Sequence, residues 1–418
     1  MITVIGDFIL DVFNYGVSDR ISPEAPVPVI KHSHTDYAAG GAGNVARNLH
    51  TLGCKVNAIG IVGLDNEASK LSEFLTSMYV SYVKDHTCPT ITKTRLICNN
   101  QQIARIDNEQ RFPNPIDVEK YCNEETQYLI ISDYNKGTIG NCTDQFAKLR
   151  QRGVKVLVDP KQNLYNYKNA WLVKPNIKEF KELVNDFKDY DDLIRKAILA
   201  CKKYNFEYML VTLGSDGMIL VSKDGYIKRQ DSFETEVYDI TGAGDSTLAG
   251  VAYGLVNDKT IDESIEIASR IASVAVSHIG TYSVQEKEIK EKVVFTNGCF
   301  DVLHLGHLKL LKFAKKQGDK LIVAINSDTS VKKLKGESRP KFSQEDRKAM
   351  LESLAIVDEV VVFEEDTPYN LIKSVKPDVI VKGGDYTVET TVGNDLAEVI
   401  IFPRVKDYST SKILEETK

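Results

Sequence analysis

KVVFTNGCFDVLHLGHLKLLKFAKKQ, residues 292–317, changes character twice in a short space. Its apolar opening runs into Thr296, Asn297 and Gly298 as a buried strand runs into a turn, and from Gly306 to Gln317 apolar residues recur at helical spacing. A strand, a glycine-containing turn and a helix are half of a βαβ unit, so the stretch predicts a parallel α/β sheet. The alternation continues downstream, with strands at KLIVAIN, VDEVVVF, DVIVKGG and AEVIIFP and helices over 343–353 and 369–375. With KVVFTNG these make five parallel strands, a compact Rossmann-like domain.

Upstream the rhythm is the same. Strands are expected at ITVIG, VNAIGIVG, YLIIS, VKVLVD, WLVKP and YMLVT, and helices over 66–78, 143–152, 177–184, 243–255 and 262–279. Two segments depart from it. VPVIKHSHTDYAAG and TKTRLICNNQQIARID look like strands without crossover helices, and Asn99-Asn100 suits a hairpin turn, so a small antiparallel flap off the main sheet is expected. The break between the two parts lies within 283–291, giving domains 1–285 and 286–418.

Bulk properties narrow the function classes. The 418 residues are 42% hydrophobic and 27% charged, an ordinary globular mixture. A net charge of −6 and a pI near 5.8 supply no global field for nucleic acid, and no apolar run is long enough to span a membrane. Seven cysteines without a CxxC pair indicate reduced thiols and a cytoplasmic setting.

Two glycine turns carry the chemistry. In DITGAGD, residues 239–245, Gly242 and Gly244 precede a helical stretch whose first amides are free donors at the positive end of the helix dipole. Asp245 adds a carboxylate that anion binding alone does not call for; it suits a base taking a proton from an attacking hydroxyl, or equally an acidic cap behind a flexible turn. In the opening stretch, His304 and His307 bracket the start of a helix with a spacing that puts both imidazoles on one side. They suit phosphate oxygens, with a metal pair and two surface histidines as the other readings; no HExxH glutamate or third ligand lies nearby.

The company of these turns makes the pattern specific. GDFILD, RISPEAPVPV, GGAGNVARN, SDYNKG, DPK, KPNIKE and TLGSDG precede DITGAGD in a fixed order, most at expected strand ends. Over residues 2–281 the chain resembles the ribokinase (PfkB-type) sugar kinases. This resemblance implies a Rossmann-type sheet with a β lid, with Asp245 as general base and the Gly242, Ala243 and Gly244 amides as an anion hole. Asn176, Ile177, Lys178, Glu179, Thr212 and Gly214 would lie on the ATP and Mg²⁺ side. Asp7, Asp11, Arg20, Gly40, Gly41, Asn44, Arg105, Asp133 and Lys136 would lie on the sugar side. RISPEAPVPV, TITKTR and NQQIARID look like the heptose 7-phosphate kinase branch.

The second part, with NSD, LKGESRP, FEEDTP and VKGGDY in order, resembles the HxGH nucleotidyltransferases, in particular the adenylyltransferase half of bifunctional heptose 7-phosphate kinase/heptose 1-phosphate adenylyltransferases. By that resemblance His304 and His307 are catalytic. Thr296, Asn297, Gly298, Phe300, Lys335, Arg339, Arg347, Lys382, Gly383, Asp385, Ser409 and Thr410 would meet the nucleotide. It implies ATP and Mg²⁺ as cofactors with no ligand set assigned to the metal, a sugar phosphate substrate, a homodimer and a product serving lipopolysaccharide or another glycan. Against the family pattern, the connection between the halves and the stretch from VKGGDY to YSTSKI are short. Rival readings keep both folds but substitute another sugar phosphate or CTP, or make the protein an inactive sugar-nucleotide scaffold.

Overall fold

The computed structural model describes residues 1–403 apart from Ser77, His86, Asn100, Glu234, Ile279 and Asp385. The chain divides into two compact units, Met1–Ile289 and Lys290–Lys418, with the short helix Glu286–Ile289 on the first.

A nine-stranded sheet forms the body of the first unit. Its spatial order is Ile227–Gln230, Met218–Ser222, Tyr208–Thr212, Leu172–Val173, Lys155–Asp159, Tyr128–Ser132, Ile2–Gly6, Val56–Val62, Tyr79–Lys84. Pairing is parallel from Tyr208–Thr212 to Tyr79–Lys84, and the other two strands close the edge as an antiparallel hairpin. The central strands read as unbroken apolar runs because both faces are covered: Ile5, Ile131 and Val158 enter one core, Val4, Ile130 and Leu157 the other. Chain order runs outward in both directions from the neighbours Ile2–Gly6 and Tyr128–Ser132. Such a reversal opens a crevice beyond the strand ends, where Asp7 and Asp133 stand.

The flap is larger than expected. Its four strands run Lys31–Gly41, Phe8–Val17, Ile91–Cys98, Gln101–Asn108, and the central pair is parallel rather than antiparallel. The chain enters Phe8–Val17 directly from the first sheet strand, then returns to the main sheet before coming back as Ile91–Cys98, so the two lid strands point the same way. Asn99 takes the left-handed conformation, φ 51°, in the turn between the last two strands.

In the second unit five parallel strands lie in the order Glu359–Phe363, Lys320–Asn326, Val293–Gly298, Val379–Gly383, Glu398–Phe402. Here the reversal falls between Val293–Gly298 and Val379–Gly383. The segment NSDTSVKKLKGESRP, read as a loop, contains the helix Asp328–Lys335, started by the Ser327 side chain accepting from Ser330 N–H. Among the described residues no helix is long and apolar enough to cross a membrane.

Candidate active sites

The helix Ala243–Val256 starts from Gly242, whose φ of 79° and closeness to Asn44 exclude a side chain: a Cβ there would fall 2.7 Å from Asn44 Nδ2. Its first internal bond is Ser246 N–H to Gly242 O. Among the described residues the Gly244 and Asp245 amides have no acceptor, while Ala243 N–H reaches back to Ile240 O at 3.3 Å, which leaves it less available than the sequence reading supposed. A side chain at 244 would begin 3.4 Å from Lys174 Nζ, so a buried ammonium stands beside this helix start.

Asp245 lies on the first turn and is 3% exposed. Asn44 Nδ2 donates to its Oδ2 at 3.0 Å and the Tyr134 hydroxyl to its Oδ1 at 2.9 Å. Burial raises its carboxyl to about 7; nearby Asp159 adds to the rise, and the Asn44 and Tyr134 hydrogen bonds and Lys174 oppose it. A carboxyl so placed is half ionised near neutral pH, where general bases work best. Asn44 is itself fixed by Asn48 Nδ2, which donates to its Oδ1 at 3.1 Å.

Other expected residues have different duties. Asp7 was placed on the sugar side, but its oxygens accept the Tyr134, Lys136 and Thr138 amides, so it clamps the loop after Tyr128–Ser132. Asp133 is likewise committed, to Asn135 N–H, the Gln162 side chain and the Tyr167 hydroxyl; burial raises it to about 6. Asp11 pairs with Arg95 Nη1 at 2.6 Å, and Gly40 lies so near that a Cβ would sit 2.1 Å from Asp11 Oδ2. Gly41, φ 57°, begins the helix Ala42–Thr51 that carries Asn44. Arg105 is exposed and forks onto Asp107 of its own strand, Lys136 pairs with Glu109, and the exposed Arg20 side chain has no partner among the described residues.

On the nucleotide side, Asn176 and Glu179 cap the helix Ile177–Leu183 reciprocally: Asn176 Oδ1 accepts Glu179 N–H and Glu179 Oε2 accepts Asn176 N–H, each at 2.9 Å. Thr212 bridges to Asn176, Gly214 opens the following turn with φ 65°, and Ile177 and Lys178 are exposed. Glu179 also pairs with Lys161, and Lys174 Nζ lies 3.2 Å from Asp159 Oδ2. Asp159 and Lys161 of DPK and Lys174 of KPNIKE stood out from sequence as strand-end residues without an assigned role; Tyr134 was not singled out, although it lies in SDYNKG.

In the second unit a cleft of about 570 Å³ opens beyond the sheet reversal. His304 precedes the helix Leu305–Lys315 and His307 lies in its first turn, and their rings stack with centroids 3.8 Å apart. Burial lowers both, His307 to about 4, so both imidazoles are neutral at pH 7. His307 Nδ1 has no partner among the described residues. Asn297, Gly298, Phe300, Lys335, Arg339 and Gly383 line the same cleft. So does Lys382, whose Nζ donates to Asn297 Oδ1 at 2.9 Å. Burial lowers this ammonium to about 8. No carboxylate pairs with it among the described residues, leaving a buried cation that an anionic ligand would satisfy.

Two expected contacts are elsewhere. Arg347 is fully buried and its guanidinium is spent on Cys299 O, Phe342 O and Asp328 Oδ1, so it braces the turn rather than facing the cleft. Thr296 is fully buried within its strand and does not line the cleft. Asp301, not picked out from sequence, pairs with Arg339 and accepts the Lys341 and Phe342 amides. Asp385, Ser409 and Thr410 lie outside the described residues.

Comparison with known proteins meets these two sites one by one. Residues 1–288 match the pfkB family of carbohydrate kinases and residues 295–416 the cytidylyltransferase-like family. The bifunctional protein HldE of Nitratiruptor sp. is 38% identical over all of this chain and 99% of its own length. The chain belongs to the bifunctional HldE family. The HldE proteins of Campylobacter fetus, 38% identical over 100% of this chain and 99% of theirs, and of Salmonella dublin, 37% over 99% and 96%, agree. Alignment with the Nitratiruptor HldE runs over 459 residues, more than this chain has, so the relative carries segments that are shorter here. For the fold of the kinase half, ribokinase from Thermotoga maritima superposes with a TM-score of 0.56 at 20% identity, covering 69% of this chain and 97% of that one. Arabidopsis thaliana ribokinase complexed with ribose and ATP gives 0.58 at 18%, covering 69% and 96%. Like the other HldE proteins, this one is a transferase with a kinase and a nucleotidyltransferase domain.

Proposed function

We propose that the first unit transfers the γ-phosphoryl group of ATP to the C1 hydroxyl of D-glycero-β-D-manno-heptose 7-phosphate, and that the second joins AMP from ATP to heptose 1-phosphate, releasing pyrophosphate. The observation that carries this reading is the difference between the two sites: a buried carboxyl near pH 7 at one helix start, paired neutral imidazoles at the other. A sugar hydroxyl needs a base, and Asp245 takes its proton as the oxygen attacks the γ-phosphorus. The Gly244 and Asp245 amides, the helix dipole and Lys174 stabilise charge on the transferred group. A sugar phosphate is already an anion, so the second site needs only alignment and charge stabilisation, from His304, His307, Lys335, Arg339 and Lys382.

Mg²⁺ fits the kinase site: among the described residues Asp159 Oδ1 is buried without a hydrogen-bond partner, Glu179 is adjacent in the ion-pair network, and Mg²⁺ bound to nucleotide needs only one or two protein carboxylates. When bound there it would neutralise charge on the phosphate oxygens. ATP as nucleotide, a cytoplasmic location and a homodimer through the lid complete the proposal, the last supported by exposed Ile103 and Ile106 on the edge strand Gln101–Asn108. The product is an ADP-heptose destined for a glycan.

Single substitutions separate the two sites. Asp245→Asn is expected to lower phosphorylation by about 10²–10⁴ with adenylyl transfer unchanged, and His304→Ala to lower pyrophosphate release by about 10²–10³ with phosphorylation unchanged. Equal loss of both activities in either folded variant would contradict the assignment.

A further inference from the structure

We propose that Tyr134 is a positioning residue for phosphoryl transfer, its hydroxyl holding the Asp245 carboxylate in the orientation that receives the sugar proton. This rests on Asp245 being the base. Tyr134 donates to Oδ1 and Asn44 to Oδ2, so rotation of the carboxylate breaks a hydrogen bond in a buried place. Each oxygen keeps a further lone pair for the incoming proton. Phenylalanine would fill the same volume; the hydroxyl is needed only for the carboxylate.

The loop bearing Tyr134 is fixed independently of any ligand. Its amide donates to Asp7 Oδ2 at 2.8 Å, and Lys136 and Thr138 amides complete the clamp on Asp7. The Tyr134 ring faces two ammonium groups, Lys93 Nζ at 5.1 Å from the lid strand Ile91–Cys98 and Lys161 Nζ at 5.8 Å from the segment after Lys155–Asp159. Lys161 in turn pairs with Glu179 on the nucleotide side. Tyrosine 134 therefore connects the lid, the nucleotide side and the base.

The charged groups around the pair are few. Asp159, Lys161 and Lys174 face Asp245, and Asp11, Asp159, Lys93 and Lys161 face Tyr134. Burial, with Asp245 and Asp159 nearby, keeps the phenol protonated well beyond its ordinary range, so it is a permanent donor and not a rival base. Its hydrogen bond holds the Asp245 carboxyl down against the burial that raises it.

The test uses the full chain with ATP, Mg²⁺ and D-glycero-β-D-manno-heptose 7-phosphate. Tyr134→Phe removes a donor to the ionised carboxylate, so the acid limb of kcat/KM for phosphorylation is expected to move up by about one pH unit. That is roughly a tenfold loss on the acid side, and the alkaline plateau is expected to fall as well, because the ionised carboxylate loses the hydrogen bond that orients it. Adenylyl transfer and Tm, measured on the same sample, report folding. In an Asp245→Asn background the same substitution is expected to change the residual phosphorylation rate no further. An acid limb that does not move, or a further loss on the Asp245→Asn background, overturns the role of Tyr134. Full phosphorylation by Asp245→Asn alone would overturn instead the reading of Asp245 on which it rests.

Discussion

As the proposed base, Asp245 sets the pH behaviour of the first reaction. It must be ionised to accept a proton, and its carboxyl lies near 7 because of burial, so kcat/KM for phosphorylation is expected to rise with pH through about 7 and then level off. A limb near the ordinary carboxylate value of about 4 would show that Asp245 is not the titrating base. Lys382 gives the second reaction the opposite slope: it holds its charge below about 8, so adenylyl transfer is expected to weaken as pH rises through that value. Lys382→Arg should abolish this decline, because arginine stays charged throughout. Asp245, His304 and His307 were legible because each sits in a local glycine turn before a helix, a signal that needs no tertiary information. Tyr134 was not, and Lys174 was visible only as a strand-end residue, since only folding brings them to the helix start. For Asp7 and Asp133 the sequence does not distinguish a strand-end carboxylate that faces a ligand from one that accepts hydrogen bonds within the protein, as both do here.

Elements were legible where both faces are buried. The unbroken apolar strands of both sheets could be read directly, whereas the lid could not be paired correctly, because its strands are half exposed and their partners are set by where the chain re-enters the flap. The basic run in NSDTSVKKLKGESRP hid a helix for a related reason: few apolar residues mark its period, and its start depends on the Ser327 cap. Arg347 shows how a helix can support a site without touching its ligand. From the helix Gln344–Glu352 it ties the Cys299 carbonyl to Phe342 O and Asp328. Asp328 is a third exposed and can be solvated, so removing Arg347 chiefly leaves the Cys299 and Phe342 carbonyls without their donor, at roughly 1–3 kcal/mol each. Arg347→Ala is thus expected to lose adenylyl transfer at lower urea than wild type while phosphorylation keeps its midpoint; coincident, unshifted midpoints would show that the brace does not matter.

At the scale of the molecule, one chain carries two large sheets, besides the four-stranded lid, that each reverse chain order, and a different chemistry is proposed at each reversal. In the proposed reactions the shared ligand is ATP, cleaved between its β and γ phosphates in one unit and between α and β in the other. Under the proposed reactions the product of the first step carries a 7-phosphate that the second substrate lacks, so a separate phosphatase acts between them. The most direct test is mass spectrometry of the products formed from ATP, Mg²⁺ and D-glycero-β-D-manno-heptose 7-phosphate, with and without a phosphatase that removes the 7-phosphate. The expected products are heptose 1,7-bisphosphate alone without the phosphatase, and ADP-heptose with pyrophosphate when it is present. Absence of the bisphosphate, or a bisphosphate that never yields ADP-heptose after dephosphorylation, would contradict the two-site account.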